Sequence, residues 1–421
     1  MAASPADLLL TVLGALPPGA DVAVVRRDPG QWVIGVDPDA RLEASGIEAL
    51  DRLEQLGAAG GWWAGWLAYD LGRAVERVER RRPDDLGLPD VSLARFDARL
   101  VIGPAGLRLE GDGPTRPLLA AAARRARAAG GPPDPGPAVR AAGPGLAPFT
   151  SSLDRAGFEA GVREIVELVR AGECYQVNLT RRLTSGVAAD PAALFGAIVR
   201  HHPAPHAALL RFGDRAVVSA SPELFLRRRG DAVETRPIKG TAGQRSVLLR
   251  SAKDRAENVM ITDLSRNDLG RVCVPGSVAV PALCAPEAHP GLWHLVTTVT
   301  GRLRPGVGTG TLVRATFPPA SVTGAPKPRV LQAIEDLEPV TRGVYCGAVG
   351  WIDFGSAAVE LNVAIRTFQI LGGRTHLGVG GGITVDSDPA AEWRETELKA
   401  ARLLAVAGAP QRHCEEMGVP A

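Results

Sequence analysis

Strand-like segments in this chain come in blocks, and that order constrains the fold more than any other feature of the 421 residues. Gly347 to Phe354, Val359 to Ile370 and His376 to Val379 follow one another with no helical pattern between them, as do Ala216 to Leu226 and Ala232 to Ile238. A parallel sheet needs a long crossover, usually a helix, between successive strands. The blocks therefore predict an α+β fold with antiparallel sheets rather than a regularly alternating one. Helical periodicity falls between the blocks. It runs from about Asp154 to Arg170, where Ser152 can cap the first turn and Gly172 end the last, and again over Lys253 to Leu269, Pro326 to Leu337 and Pro389 to Val406. Tyr175 to Leu183 alternates polar and apolar residues as a half-buried strand does.

From Ala128 to Pro148 the residues are AAGGPPDPGPAVRAAGPGLAP, a composition that disfavours both helix and central strand. It reads as a linker between a region 1–127 and a larger region 149–407, with 408–421 as a tail. In the first region Gln31 to Val36 and Trp62 to Tyr69 are expected strands. The second of these carries three tryptophans, which form either an aromatic binding face or, more simply, packed core. There is no internal repeat and no heptad run.

No apolar run is long enough to cross a bilayer and no cleavable leader opens the chain, so a cytoplasmic location is expected. Five cysteines, Cys174, Cys273, Cys284, Cys346 and Cys414, are scattered singly without a CxxC pair and read as free thiols. The 48 basic and 46 acidic residues are interspersed with no basic stripe, which leaves nucleic acid without an electrostatic footprint and points to a small molecule as partner. Only four of the 48 are lysines, namely Lys239, Lys253, Lys327 and Lys399. Arginine cannot replace lysine where a compact ammonium or a deprotonatable amine is needed, so these are marked positions unless they survive by chance.

Two helical segments each carry acids three apart, Asp254 with Glu257 and Glu392 with Glu395, which puts each pair on one helix face. Each is either a solvated face or half of an oxygen-only site for Mg²⁺. Between a strand and the last helix, Gly378 to Gly382 reads GVGGG, which is either a plain turn or a nest of backbone N–H groups for a carboxylate. The turn Ser321 to Lys327 can cap its helix or offer Thr323 to a ligand. Glu234 to Thr241, ETRPIKGT, ends a strand and places Lys239 at a loop mouth, where burial or nearby cations can make an amine nucleophilic, although loop lysines are usually only solvated.

Between Phe158 and Leu404 the segments CYQVNLTRRL, SPELF, ETRPIKGT, KDRAENVMITDLSRNDLGRV, HLVTTVTG, FPPASVTGAPK, YCGAVG, AIRT, GGGIT and AEWRETELK occur in that order. This series resembles the chorismate-utilising family, which includes anthranilate synthase component I, aminodeoxychorismate synthase component I, and the isochorismate and salicylate synthases. The first third is similar only loosely, at GGWWAGWLAYD. The resemblance implies a two-layer α/β sandwich with large antiparallel sheets and the active site between them. It implies Mg²⁺ on Glu257 and Glu395, with Asp254 and Glu392 close by, holding the ring carboxylate of chorismate. Tyr345, Arg366, Thr241 and the backbone of Gly380, Gly381 and Gly382 would position carboxylates, Gln176, Gly240 and Thr323 would lie at the substrate, and Lys399 would face the same site.

Two positions separate the family's branches. A water-activating lysine stands in isochorismate and salicylate synthases where this chain has Gln176, and anthranilate synthases resemble PIAGT where this chain reads PIKGT. Lys239 therefore selects the aminodeoxychorismate branch, in which it would attack C2 of chorismate while Glu223 protonates the departing C4 hydroxyl. His294 would bond the substrate or be structural. The chain has no glutaminase-type cysteine elbow and no appended lyase, so the resemblance further implies ammonia from a separate glutaminase subunit and a separate downstream lyase. Amination at C2 is the rival expectation, followed by isochorismate synthase chemistry and by a non-catalytic chorismate-binding subunit.

Overall fold

The computed structural model describes residues 4–27, 30–129, 146, 148–289 and 291–408. Most of the expected linker, all but the first residue of the expected tail, and Cys414 lie outside them. Two large sheets carry the fold, and every strand pairing in them is antiparallel, as the block order requires.

The first sheet has eleven strands. In spatial order they are Gly324–Ala325, Gln176–Ser185, Arg374–Ile383, Thr367–Leu371, Arg215–Ser221, His206–Phe212, Val22–Arg26, Trp32–Val36, Arg99–Gly103 and Gly106–Glu110, with Thr150–Ser151 beside Gln176–Ser185. The second has ten, in the order Ile238–Ala242, Leu292–Arg302, Ala232–Arg236, Leu224–Arg229, Ala358–Val363, Ala348–Asp353, Trp62–Leu67, Val91–Arg95 and Ala40–Ala44, with Ala279–His289 also on Leu292–Arg302. Strands from residues 1–127 extend sheets built by the rest of the chain: Val22–Arg26 pairs with His206–Phe212, and Trp62–Leu67 with Ala348–Asp353.

Period-two alternation sorts the side chains into layers. Val22 and Val24 join a core covered by helices Pro5–Gly14, Arg116–Ala128 and Pro191–His201, whereas Ala23 and Val25 pack toward Trp62 and Trp66 of the second sheet. Trp63 points the other way, into the core under helix Gly46–Ala59. The three tryptophans are thus packed core. Each such ring buries about 150–250 Å², worth roughly 4–6 kcal/mol of transfer free energy at ~25 cal/mol per Å² before conformational entropy opposes it.

Several expectations shift in detail. Helix Arg155–Arg170 is capped by Asp154, whose carboxylate accepts from Gly157 N at 2.8 Å, and not by Ser152. Ser152 instead accepts from Arg182 N, pinning the neighbouring strand. Gly172 follows the helix at φ 76°, as a left-handed terminator should. The glycines of GVGGG are not a nest: they lie inside strand Arg374–Ile383, none in the left-handed region, because each adjoins a crowded neighbour. A Cβ at Gly382 would fall 2.1 Å from Gln176 Nε2. Lys239 is not at a loop mouth but within strand Ile238–Ala242, which starts afresh after Pro237 because proline cannot donate to a ladder.

Two expected strands prove to be two strands each, in different sheets. Ala216 to Leu226 divides at Pro222 and Glu223, and Val359 to Ile370 divides at Ala364 to Arg366. In each of these segments the chain therefore passes from one sheet to the other, and the two passages run side by side: Ser219 pairs with Thr367 on one side and Leu224 with Asn362 on the other. Ser221 Oγ donates to Val363 O at 2.6 Å and Val363 N to Glu223 O at 3.0 Å, locking the passages together.

Candidate active site

Those passages place an acid and a cation at one point between the sheets. Glu223 and Arg366 both line a cavity of about 690 Å³. Arg366 holds φ 52°, a conformation that costs a non-glycine residue on the order of 1–2 kcal/mol and persists only where packing enforces it. Glu223 is 3% exposed. Burial pushes its carboxyl up to about 7, against the opposing pull of the Ser321 hydroxyl, the Lys239 ammonium and Ile238 N–H.

Lys239 lines the same cavity, and its Nζ donates to Ser321 O at 2.9 Å. Burial lowers its pKa from the ordinary lysine value, while Glu257 and Glu223 pull the other way. Among the described residues no carboxylate lies within ion-pair distance of this amine. One residue past it, Gly240 takes φ 80° at a bulge and packs against Asp254, where any Cβ would come within 2.8 Å of that side chain. Ser321 joins the two reactive groups, with its carbonyl on Lys239 and its hydroxyl on Glu223.

The two carboxylate helices form another wall. Helix Ala252–Gly270 supplies Asp254 and Glu257, and helix Pro389–Val406 supplies Glu392, Glu395 and Lys399, all lining the cavity. Lysines stand among these acids. Lys253 Nζ lies 3.4 Å from Glu392 and 4.0 Å from Glu257, and Lys399 Nζ 2.7 Å from Glu395. Lys399 depresses the Glu395 carboxyl below the usual range, while burial raises that of Glu257. Ser387 Oγ donates to Glu392 at 2.7 Å.

Among the described residues no group of three or more His, Cys, Asp or Glu is gathered as a metal cluster. The donor chemistry nevertheless fits a hard divalent cation: the acids offer only oxygen. Those of Glu392 and Glu395 approach bare Gly381, where a Cβ would lie 3.2 and 3.9 Å from their oxygens.

Strand Arg374–Ile383 lays Gly380, Gly381 and Gly382 along the cavity, and Lys399 Nζ donates to Gly380 O at 2.8 Å. Thr241 and His294 face it from paired strands, with Oγ1 and Nδ1 2.8 Å apart. Burial, then Arg366, lowers the His294 pKa to about 4, which leaves the imidazole neutral at pH 7. Tyr345 also lines the cavity, and burial holds its phenol well above the ordinary range.

Two expected residues stay out of it. Thr323 is wholly buried and its hydroxyl donates to Pro319 O and Ala320 O, so the turn presents Ser321 instead. Gln176 is 1% exposed and packs behind Gly382. Asn178, His202, Lys253, Ser321 and Arg402 line the cavity without having been singled out as site residues. Arg402 was legible in principle, because Glu395, Lys399 and Arg402 step by four and three along one helix face.

Comparison with known proteins gives the family and the fold. Residues 21–405 match the family of chorismate binding enzymes. Aminodeoxychorismate synthase component 1 of Klebsiella aerogenes is 37% identical over 356 residues, covering 81% of this chain and 76% of that protein. Anthranilate synthase component 1 of Thermus thermophilus is 36% identical over 388 residues, covering 89% and 83%. The crystal structure of anthranilate synthase component I from Streptococcus pneumoniae superposes with a TM-score of 0.76 at 24% identity, covering 90% of this chain and 93% of that one, and supports the fold.

Proposed function

We propose that this chain, which belongs to the chorismate-binding enzyme family, is the aminating component of an aminodeoxychorismate synthase and converts chorismate and ammonia to 4-amino-4-deoxychorismate. Identity does not choose between the amination branches, since relatives of both stand at 36–37%. The observation that carries the choice is the Lys239 amine, which lines the cavity, is held among the described residues only by the neutral Ser321 carbonyl, and has its pKa lowered by burial. Such an amine sheds its proton more readily than a solvated lysine and can act as a nucleophile.

In this mechanism the Lys239 nitrogen bonds to C2 of chorismate, the two ring double bonds shift, and the C4–O bond breaks. Glu223, still protonated near neutral pH, gives its proton to the departing hydroxyl, which leaves as water. Ammonia then bonds to C4, the double bonds shift back and Lys239 departs from C2. Arg366, Tyr345, Thr241 and the backbone of Gly380 to Gly382 line the space in which the substrate's two carboxylates must be held. Magnesium held by Glu257, Glu392 and Glu395, beside Asp254, would neutralise the ring carboxylate among these acids.

Ammonia comes in this reading from a separate glutaminase and pyruvate is removed later by a separate lyase. In support, Cys174, Cys273, Cys284 and Cys346 are all buried and none lines the cavity, so none is placed as a glutaminase nucleophile. Incubation with chorismate, Mg²⁺ and ammonium should yield the 4-amino diene by mass and NMR, glutamine alone should yield nothing, and excess chelator should abolish turnover. A 2-amino aromatic product would establish the rival reading, anthranilate synthase, which similarity to the Thermus protein keeps in play. Turnover without ammonia would establish isochorismate chemistry.

A further inference from the structure

Helix Pro389–Val406 turns Glu392, Glu395 and Lys399 to the cavity, and a single side chain grips it from another side. Arg181, on strand Gln176–Ser185, is 3% exposed and lies outside the cavity lining. Its Nε donates to Thr396 Oγ1 at 3.0 Å, its Nη2 pairs with Glu397, and its guanidinium lies 4.1 Å over the Trp393 ring. Its Nη1 donates to Ser151 Oγ at 3.0 Å, which ties the group to the neighbouring strand Thr150–Ser151. The three helix contacts use three different properties of a guanidinium: a directed N–H, a charge and a flat π-face.

At about 100° per residue, Trp393, Thr396 and Glu397 fall on one side of the helix and Glu392, Glu395 and Lys399 on another. Apolar packing alone sets the rotation near the acids only loosely, because Glu392, Thr396, Ala400 and Ala401 are the residues this helix buries before Leu403. Metal ligands tolerate little error, about 0.2 Å in distance. Turning the helix by about 10° would move a group at its rim, about 6 Å from the axis, by about 1 Å.

We propose that Arg181 is a positioning residue for the metal: by clamping the far side of Pro389–Val406 it sets the rotation at which Glu392 and Glu395 are presented to a divalent cation together with Glu257. This role rests on the reading of those acids as the Mg²⁺ site and names what orients them. Arg182 supplies a matched comparison. It is also buried and paired, but as the next residue of the strand it points the other way, and its partners, Asp85 and Thr341 O, are on neither carboxylate helix.

Mn²⁺ shares the preference for oxygen ligands and reports the site by EPR on the enzyme without substrate. Arg181→Lys keeps a charge for Glu397 but cannot also bond Thr396 and lie flat on Trp393. It should weaken Mn²⁺ binding about 10- to 100-fold, as loss of a group that orients metal ligands commonly does. Glu397→Gln should weaken it by a smaller factor and add little to Arg181→Lys, since the two act as a unit. Arg182→Lys should melt lower yet keep the parent's Mn²⁺ affinity. Unchanged affinity in folded Arg181→Lys, or an equal loss in Arg182→Lys, overturns the positioning role and leaves the metal site standing. Should Arg181→Lys not fold, Glu397→Gln decides, and unchanged affinity there overturns the role. A parent that binds no Mn²⁺, or binds it equally well as Glu395→Gln, overturns the metal reading and the positioning role with it.

Discussion

Lys327 and Lys239 are tied to the same short stretch of chain, Thr316 to Ser321, and do opposite things there. Lys327 Nζ donates to Asp268 at 2.7 Å and to Thr316 O at 2.9 Å, and the residue is 7% exposed. Among the described residues Lys239 Nζ has only the Ser321 carbonyl, 2.9 Å away, and it faces a cavity. The first is a buried ion pair that holds helix Lys327–Leu337 to helix Ala252–Gly270, and the second is an amine left without an ion-pair partner among the described residues. Scarcity of lysine marks both positions equally. What separates structure from chemistry is the partner, and the partner is a property of the fold.

The largest effect expected from breaking this contrast is on catalysis. Lys239→Arg keeps a cation but cannot be deprotonated, and should lose several orders of magnitude in kcat, since nucleophilic and proton-transfer contributions are each commonly worth about 10²- to 10⁴-fold. Its fold should survive. Because burial lowers the Lys239 pKa, burying its ammonium opposes folding at neutral pH, and that opposition fades as pH rises toward the ordinary lysine value. Lys239→Met should therefore melt no lower than the parent. Lys327→Met should behave inversely, losing about 3–5 kcal/mol because Asp268 is left buried and unpaired, with activity per folded molecule retained. Denaturant unfolding beside steady-state rates checks both, and equal behaviour of the two variants would dissolve the contrast.

Glu223 gives the next effect, and it sharpens what the amine's surroundings do. With its carboxyl raised to about 7, the group donates a proton below that pH, so kcat should fall as pH rises through about 7. Glu223→Gln should be slower by about 10²- to 10⁴-fold and lack this limb. The stability sign is fixed too. The folded protein holds this proton up to about 7 while the unfolded chain releases it near pH ~4.3, so stability declines as pH rises across that window, and the variant should not show the decline.

The chemistry-bearing residue types were legible because spacing and rarity expose them: acids three apart on two helices, and a lysine in a chain that has almost none. The antiparallel character was legible from block order. Strand patterning, however, is irregular rather than interrupted there: Ala216 to Leu226 is almost wholly apolar or small on both sides of Pro222 and Glu223, and Val359 to Ile370 only shifts its apolar phase between Ile365 and Phe368. It cannot say that the chain changes sheet at Glu223 and Arg366, which is what brings them together. Nor does a run of glycines distinguish a nest from a strand crowded by neighbours, since φ and the approach of Gln176 to Gly382 are set by pairing with Gln176–Ser185.

Thr323 yields the smallest effect and the finest test of the contrast, because it lies two residues from Ser321 on the turn that holds Lys239. From sequence its hydroxyl was the candidate ligand contact, yet it donates to Pro319 O at 3.1 Å and Ala320 O at 3.3 Å within the turn, wholly buried. Thr323→Val keeps the branched shape and removes the donor. The loss should be about 1 kcal/mol of stability, the net worth of one such hydrogen bond, increased if the two carbonyls find no other donor. KM for chorismate should not change. Ser321→Ala, by contrast, keeps the carbonyl that holds Lys239 and removes only the hydroxyl that bonds Glu223. That hydroxyl lowers the Glu223 pKa, so without it the limb near pH 7 should move to higher pH while stability barely changes. A raised KM in Thr323→Val with an unmoved pH limb in Ser321→Ala would reverse the roles assigned to the two hydroxyls and return Thr323 to the ligand.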